Sequence, residues 1–382
     1  MKFDAVDRSG TFSVKYAMRE AKFGDASVLP LWVADMDFAA PSCVCDAIAL
    51  RAAHPIYGYT AYPDAYEEAI ESWYRKRYGV PVERKAIVSA QGVVPSLYDA
   101  VRAFSDKGEG VIVMPPVYPP FFDAIQRQER RTVTVPLRYE KRRYAIDFAL
   151  LERRAKEASL LLLCSPHNPV GRIWSRDELT RIAAIAERYD LIVVADEIHG
   201  DIVYKPFVST LMIDALRERL IVLNAPSKSF NIAGLHTSYA IVPSDSLRRR
   251  FRIEANRRGE GSDANPFGIV ALMAAYEQGE AWLEELLDYL QGNIAYVRDF
   301  CRQYRLPIEP NKPEATYLMW LDCRKMRLSD AELRRFFIEK AGLGLNDGAS
   351  FGIGGEGFMR LNIATSCDVL GEAMRRLKDA FR

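Results

Sequence analysis

Two stretches decide how this chain is read: Leu191-Ile-Val-Val-Ala-Asp-Glu-Ile-His199 and Leu220-Ile-Val-Leu-Asn-Ala-Pro-Ser-Lys-Ser-Phe-Asn231. Each opens with a short apolar, β-branched run and breaks into polar or turn-forming residues, the pattern of a buried strand entering a loop. A third run, Leu160 to Cys164, behaves the same way and leads into Ser165-Pro-His-Asn-Pro-Val-Gly-Arg172. Working outward, Gly110 to Met114 and Arg131 to Val135 also read as strands. Helical patterns lie between several of them, including Ser175 to Arg188 with Ser175 as N-cap and Glu178 completing a capping box. Strand–helix alternation between about Val82 and Pro243 predicts an α/β fold with a mostly parallel sheet covered on both faces. A long amphipathic stretch, Ala281 to Tyr304, leads out of it, and the remainder reads as a smaller α+β unit.

Open parallel sheets bind ligands just beyond the carboxyl ends of their strands. That rule gathers Asn168, Asp196 and Lys228, each following one of the three apolar runs, around a single cleft. A lysine set between apolar and small residues is partly desolvated, which lowers its pKa and frees the amine for Schiff-base chemistry. A carboxylate after a buried strand suits the ring nitrogen of pyridoxal phosphate (PLP), whose protonated pyridine accepts the electron pair left at an amino acid Cα. Asn168 is suited to donate a hydrogen bond to the phenolic oxygen. Singly, Asn and Asp after a strand more often cap or turn; the ordered trio is the signal.

The bulk properties exclude other classes. The chain has 382 residues, 49% hydrophobic and 27% charged, with a net charge of +1, so no overall field gathers nucleic acid or an anionic membrane. Arginines cluster at Arg248–Arg250, Arg252 and Arg257–Arg258, read as a solvated helix face or a subunit contact. The polar start, MKFDAVDRSG, has no apolar core of a signal peptide, and no apolar run approaches a membrane span. Six cysteines form no disulfide framework or zinc spacing, so a reducing, cytoplasmic setting is expected and no metal. Gly352-Ile-Gly-Gly-Glu-Gly357 matches the dinucleotide pattern, but a strand-like run follows it, so it reads as a glycine-rich turn.

The spacing of the trio, 28 residues and then 32, resembles the fold-type I PLP enzymes of the class I/II aminotransferase superfamily. Within it the chain is similar to the cystathionine β-lyase (C–S lyase) branch. The resemblance runs nearly end to end, through Leu31-Trp-Val-Ala-Asp-Met-Asp-Phe38, Tyr57-Gly-Tyr59, Gly92-Val-Val-Pro95, Pro116-Val-Tyr118, Pro166 to Gly171, Asp196 to His199, Ser227 to Asn231 and Phe358-Met-Arg-Leu-Asn362. It implies that Lys228 binds PLP covalently and later moves protons. It further implies that Asp196 pairs with the pyridine nitrogen, Asn168 meets the phenolic oxygen, and Tyr118 stacks on the ring. Arg360 would grip the substrate carboxylate bidentately, a geometry lysine cannot copy. Gly92 and Val93, with Ser227, would serve the phosphate where a helix begins. Tyr57 would reach the partner subunit's cofactor, implying a homodimer with shared sites.

Blander readings stand beside these. Tyr118 reads equally as a packed turn aromatic, Tyr57 as a core residue, and Trp32 as either pocket wall or core filler. His199 stands where many relatives in the superfamily carry tyrosine. Ala225 and His236 stand where serine and arginine often hold the phosphate, and neither histidine receives a role. Three units are expected: an N-terminal segment, residues 1–45, associated with the small domain; a PLP-binding large domain, 46–280; and a small domain, 281–382. The expected activity is β-elimination of a thiol from a small amino-acid substrate, with an aminotransferase as the alternative and a non-catalytic PLP-binding regulator as the third reading.

Overall fold

The computed structural model describes residues 3–257 and 265–382; Arg258 of the arginine cluster lies outside them. The expected runs form a seven-stranded sheet: β1 (Ile87–Ala90), β2 (Gly110–Val113), β3 (Arg131–Thr134), β4 (Leu160–Cys164), β5 (Ile192–Asp196), β6 (Leu220–Asn224) and β7 (Ser238–Ile241). Their spatial order is β1-β7-β6-β5-β4-β2-β3, and only β7 runs antiparallel to its neighbours. From β2 the chain steps outward to β3, then returns to lay β4, β5 and β6 on the other side. This reversal opens the crevice where such sheets take ligands.

Both faces of the sheet are buried at its centre, which is why its central strands are apolar throughout rather than alternating. Ile112, Leu161, Leu163, Val193 and Val222 join one core; Val111, Val113, Leu162, Val194 and Leu223 join the other. Helix α1 (Val93–Phe104) covers the second face, and α2 (Arg176–Arg188) covers the first, entered through the expected capping box of Ser175 and Glu178. The arginine-rich stretch falls on α3 (Asp245–Asn256). It is not merely a solvated face: Arg248, Arg250 and Arg252 donate to the carbonyls of Val242, Ala103 and Ile87. Those cations tie the helix to carbonyls at neighbouring element ends. Among the described residues no helix is long and apolar enough to cross a membrane.

Helix α4 (Glu280–Gln303) leads to a four-stranded antiparallel sheet of β8 (Glu309–Pro310), β9 (Leu318–Asp322), β10 (Asn346–Asp347) and β11 (Phe358–Asn362), in the order β8-β9-β11-β10. The glycine-rich decoy is the turn into β11. A Cβ on Gly355 would meet the Gly348 carbonyl oxygen at 2.1 Å, so the glycines serve a close backbone approach, not a phosphate.

One buried cluster locks the lysine loop onto the sheet. The Asp201 carboxylate accepts from Ser229 Oγ at 2.7 Å, from Trp73 Nε1 at 3.1 Å and from Tyr78 Oη. Phe230 packs on Trp73, and Trp73 stacks on Tyr276 at 4.9 Å. Asp201→Ala would strand three buried donors at about 1 kcal/mol or more each. We therefore expect a destabilisation of about 3 kcal/mol, checked by the fall in urea midpoint, whereas an exposed change such as Glu339→Ala should leave the midpoint in place.

Candidate active site

Strand geometry explains the convergence of the trio. Cys164 and Asp196 pair across β4 and β5, and Asp196 pairs with Leu223 on β6, so the three adjacent strands end level. The loops that leave them carry Asn168, His199 and Lys228 onto one cavity of about 360 Å³. Gly92, Val93, Tyr118, Ser227, His236 and Thr237 also line it. Among the described residues no cluster of three potential metal ligands occurs.

Asp196 is buried, and among the described residues its carboxylate takes one hydrogen bond, from the Ile198 N–H at 3.1 Å. Burial pushes its pKa up to about 6, against that bond and the charge of Lys228. A buried acid so poorly compensated is suited to a cationic partner in the cavity. The Lys228 amine donates to the Ala34 carbonyl at 2.7 Å. Burial pushes its pKa down to about 8; Asp35 and Asp196 pull the other way, and Arg360 adds to the fall.

Arg360, on β11, is buried beside this cavity. It donates from Nη1 to Asn168 Oδ1 at 3.0 Å and from Nη2 to the Trp32 carbonyl at 2.9 Å. Among the described residues its Nε has no partner, and burial lowers its pKa to about 10. A guanidinium only donates, so Asn168 must present its oxygen to Arg360, which leaves its NH2 as the donor end for the cavity. Tyr118 lies in the cavity wall, its pKa raised by burial. His199 is buried, neutral, with its pKa down to about 3 from burial and the charges of Lys228 and Arg360. Its Nδ1 is unpartnered among the described residues, and its ring meets Tyr317 edge-on.

The start of α1 differs in detail from expectation. The Gly92 N–H already donates to Ser238 Oγ at 2.7 Å. The N–H groups of Val93 and Val94, which open α1 and have no carbonyl a turn earlier to meet, are the ones left at the cavity. Trp32 contributes its backbone rather than its ring: the indole donates to the Lys15 carbonyl and packs edge-on against Phe23, away from the cavity lining. Tyr57 is 59% exposed, outside its own chain's cavity, with its hydroxyl on the Ala52 carbonyl.

Sequence reasoning quoted but gave no role to the asparagines that close two motifs. Asn231 holds Met36 and Phe38, and Asn362 donates to the carbonyls of Val33 and Asp35, both at 2.6 Å. Residues 31–38 are thereby strapped across the mouth between Lys228 and Arg360. The signal was there, since an asparagine two or three residues from a functional side chain is a ready backbone clamp. What it clamps is a segment some two hundred or more residues away.

The fold and site define an α/β enzyme of the lysine–aspartate type, and the comparisons agree: the profile of the family "Aminotransferase class I and II" matches residues 26–377, and the chain belongs to that family. It is 39% identical to cystathionine beta-lyase PatB of Bacillus subtilis (strain 168), covering all of both chains. It is 32% identical to protein MalY of Escherichia coli (strain K12), covering 99% of this chain and 97% of that protein. Cystalysin from Treponema denticola, solved with pyridoxal 5'-phosphate, superposes with a TM-score of 0.94 at 33% identity, covering 100% and 98% of the two chains.

The lysine makes the geometry testable without any ligand. Because burial lowers its pKa, Lys228 should be half deprotonated near pH 8, while an ordinary lysine requires about 10.4. Competitive acetylation of the cofactor-free chain, read peptide by peptide, should show Lys228 reacting with a midpoint near 8. A midpoint above 10 would contradict the desolvated setting.

Proposed function

We propose that this chain is a PLP-dependent C–S β-lyase that converts a β-thioether amino acid to pyruvate, ammonia and a thiol. The observation that carries the cofactor assignment is the under-compensated Asp196 carboxylate sharing one cavity with the Lys228 amine. Bound PLP supplies the electron sink for the pair left when the Cα–H bond breaks.

The chain's own residues do the rest in this reading. Lys228 would hold the cofactor, and its amine, which burial makes easier to deprotonate than an ordinary lysine, then takes the Cα proton. Asp196 would keep the ring nitrogen protonated, Asn168 would donate from its NH2 end to the phenolic oxygen, and Tyr118 would cover the ring face. The first N–H groups of α1, with Ser227, receive the phosphate. Arg360 orients the substrate by presenting its unpartnered Nε and an adjacent Nη to the α-carboxylate. That grip would orient the substrate relative to Lys228, and the walls of the cavity keep bulk water from the amine. Tyr57 serves the neighbouring site of a homodimer, supported by its exposure beside Leu50, Ile56 and Tyr59, all exposed as well. The proposed units are residues 46–280 around the large sheet and 281–382 around the small one, with 1–45 joined to the latter. A cytoplasmic setting accords with six unpaired thiols.

Elimination is favoured over transamination by the named activity of PatB, to which the whole chain is similar. The chemistry that separates them lies in the substrate: a thiolate, with a conjugate acid near pKa 8.5, leaves Cβ readily, whereas alanine has no leaving group. Cystathionine or another β-thioether should give equal pyruvate, ammonia and thiol with no keto acid added. Turnover that stops after one equivalent and resumes only on adding a keto acid would make the chain an aminotransferase. Asp196→Asn should retain cofactor while losing about 10²-fold or more in kcat, the scale for removing a preorganised charge. Near-normal turnover in that variant would remove Asp196 from the chemistry.

A further inference from the structure

The strap that crosses the site, residues 31–38, carries two acids, Asp35 and Asp37, directly after the carbonyl that holds Lys228. Their partners come from the N-terminal segment. Arg8 grips Asp35 with both terminal nitrogens, at 2.9 and 2.7 Å, and reaches Asp37 at 3.2 Å. Lys15, fully buried, bonds Asp37 at 2.8 Å and lies 3.9 Å from Asp35. Two cations thus balance two carboxylates at the edge of the active site. None of the four belongs to the cofactor or substrate machinery described above.

The cluster connects to Lys228 through one peptide unit. Ala34, adjacent to Asp35, takes the Lys228 amine at 2.7 Å on its carbonyl oxygen, and the same oxygen accepts from Tyr317 Oη at 3.0 Å. The Asp35 carbonyl is pinned from the other side by Asn362. The groups facing Lys228 are Asp35 from the strap, Asp196 and neutral His199 beyond β5, Arg360 from β11, and the phenol of Tyr317. Both acids, Asp35 and Asp196, favour the charged form of the amine. Facing Asp35 in turn are Arg8, Lys15, Asp37 and the ring of Tyr16, which lies under Arg8.

We propose that Asp35 is a positioning residue that governs how readily the Lys228 amine takes up and releases a proton, and that Arg8 sets its strength by holding its carboxylate. A bare carboxylate beside the amine favours the charged ammonium, which cannot accept a proton from Cα. A carboxylate clasped by arginine exerts a weaker field and keeps the amine available. The same clasp fixes the strap, so the carbonyl that docks the free amine stays in place while Lys228 exchanges one bond partner for another. Arg8 is, on this account, part of the proton-handling apparatus although it does not line the cavity.

The proposal rests on Lys228 being the cofactor lysine, and the test separates the two. The full-length PLP-loaded enzyme is titrated with pH, following the visible absorbance of the lysine-bound cofactor, and the Lys228 acetylation midpoint is measured on the cofactor-free chain. Asp35→Asn should lower both midpoints by about half a pH unit or more, as expected on removing a nearby opposite charge. Arg8→Gln should raise them, Arg8→Lys should return them to the wild-type position, and the double Asp35→Asn, Arg8→Gln should behave as Asp35→Asn alone. Equal midpoints in wild type and Asp35→Asn would overturn the proposal. So would a shift from Arg8→Gln that persists in the double variant, since Arg8 would then act without Asp35. Melting temperatures identify a variant that has merely loosened, and Arg8→Lys retains the charge if Arg8→Gln does so. If the wild type takes up no PLP on Lys228, the functional reading fails, but the acetylation arm still decides the role of Asp35.

Discussion

The site depends on keeping an amine and a carboxylate of opposite charge together in a place where neither is well solvated. Burial raises the pKa of Asp196 and lowers that of Lys228, so each is held nearer to neutrality than it would be in water. A free side chain would escape such a setting by turning toward solvent. Here it cannot, because Asp196 ends a strand buried on both faces and Lys228 sits in a loop whose neighbours are individually tied down. Ser229 is held by Asp201, Phe230 by Trp73, and Asn231 by the strap. Much of the polar bonding at this end of the sheet is the cost of that confinement.

The small sheet contributes through the same constraint. Arg360 is carried by β11, yet its guanidinium is directed by Asn168 from the large sheet and by the carbonyl of Trp32 from the strap. Three chain segments distant in sequence therefore agree on where one cation points. The bonds it already makes consume Nη1 and Nη2 donors and leave Nε idle, which is a state suited to accepting an incoming carboxylate rather than to stabilising the fold. The same bond settles the orientation of Asn168, so the free face of the guanidinium and the NH2 end of the amide are decided together.

The resemblance to cystathionine β-lyases leads to the trio and Arg360, while the contacts at the edges of the cavity are read from the structure. Gly92 is committed to Ser238, which moves the available backbone donors one residue into α1. His199 is buried and neutral against Tyr317, so it adds hydrogen-bonding capacity without charge. Arg248, Arg250 and Arg252 of α3, in a stretch that composition marks as surface, are bound to backbone carbonyls at the ends of neighbouring elements.

Sequence alone was sufficient for whatever follows from short-range pattern. Apolar runs longer than a half-buried strand tolerates imply a sheet covered on both faces, and strand ends followed by Asn168, Asp196 and Lys228 imply one cleft, because parallel strands end together. The capping box at Ser175 and the rejection of Gly352–Gly357 as a nucleotide loop needed no coordinates either. What pattern could not supply was direction. Trp32 lies in a motif beside the site, but whether its ring or its carbonyl faces Arg360 depends on where Phe23 and Lys15 fold. Arg8 and Lys15 carry no local mark distinguishing them from the chain's other cations; only long-range packing brings them onto Asp35 and Asp37. Backbone periodicity is written within a few residues, whereas the partner of a buried charge is selected by which distant segment closes over it, and that selection is made by the tertiary structure.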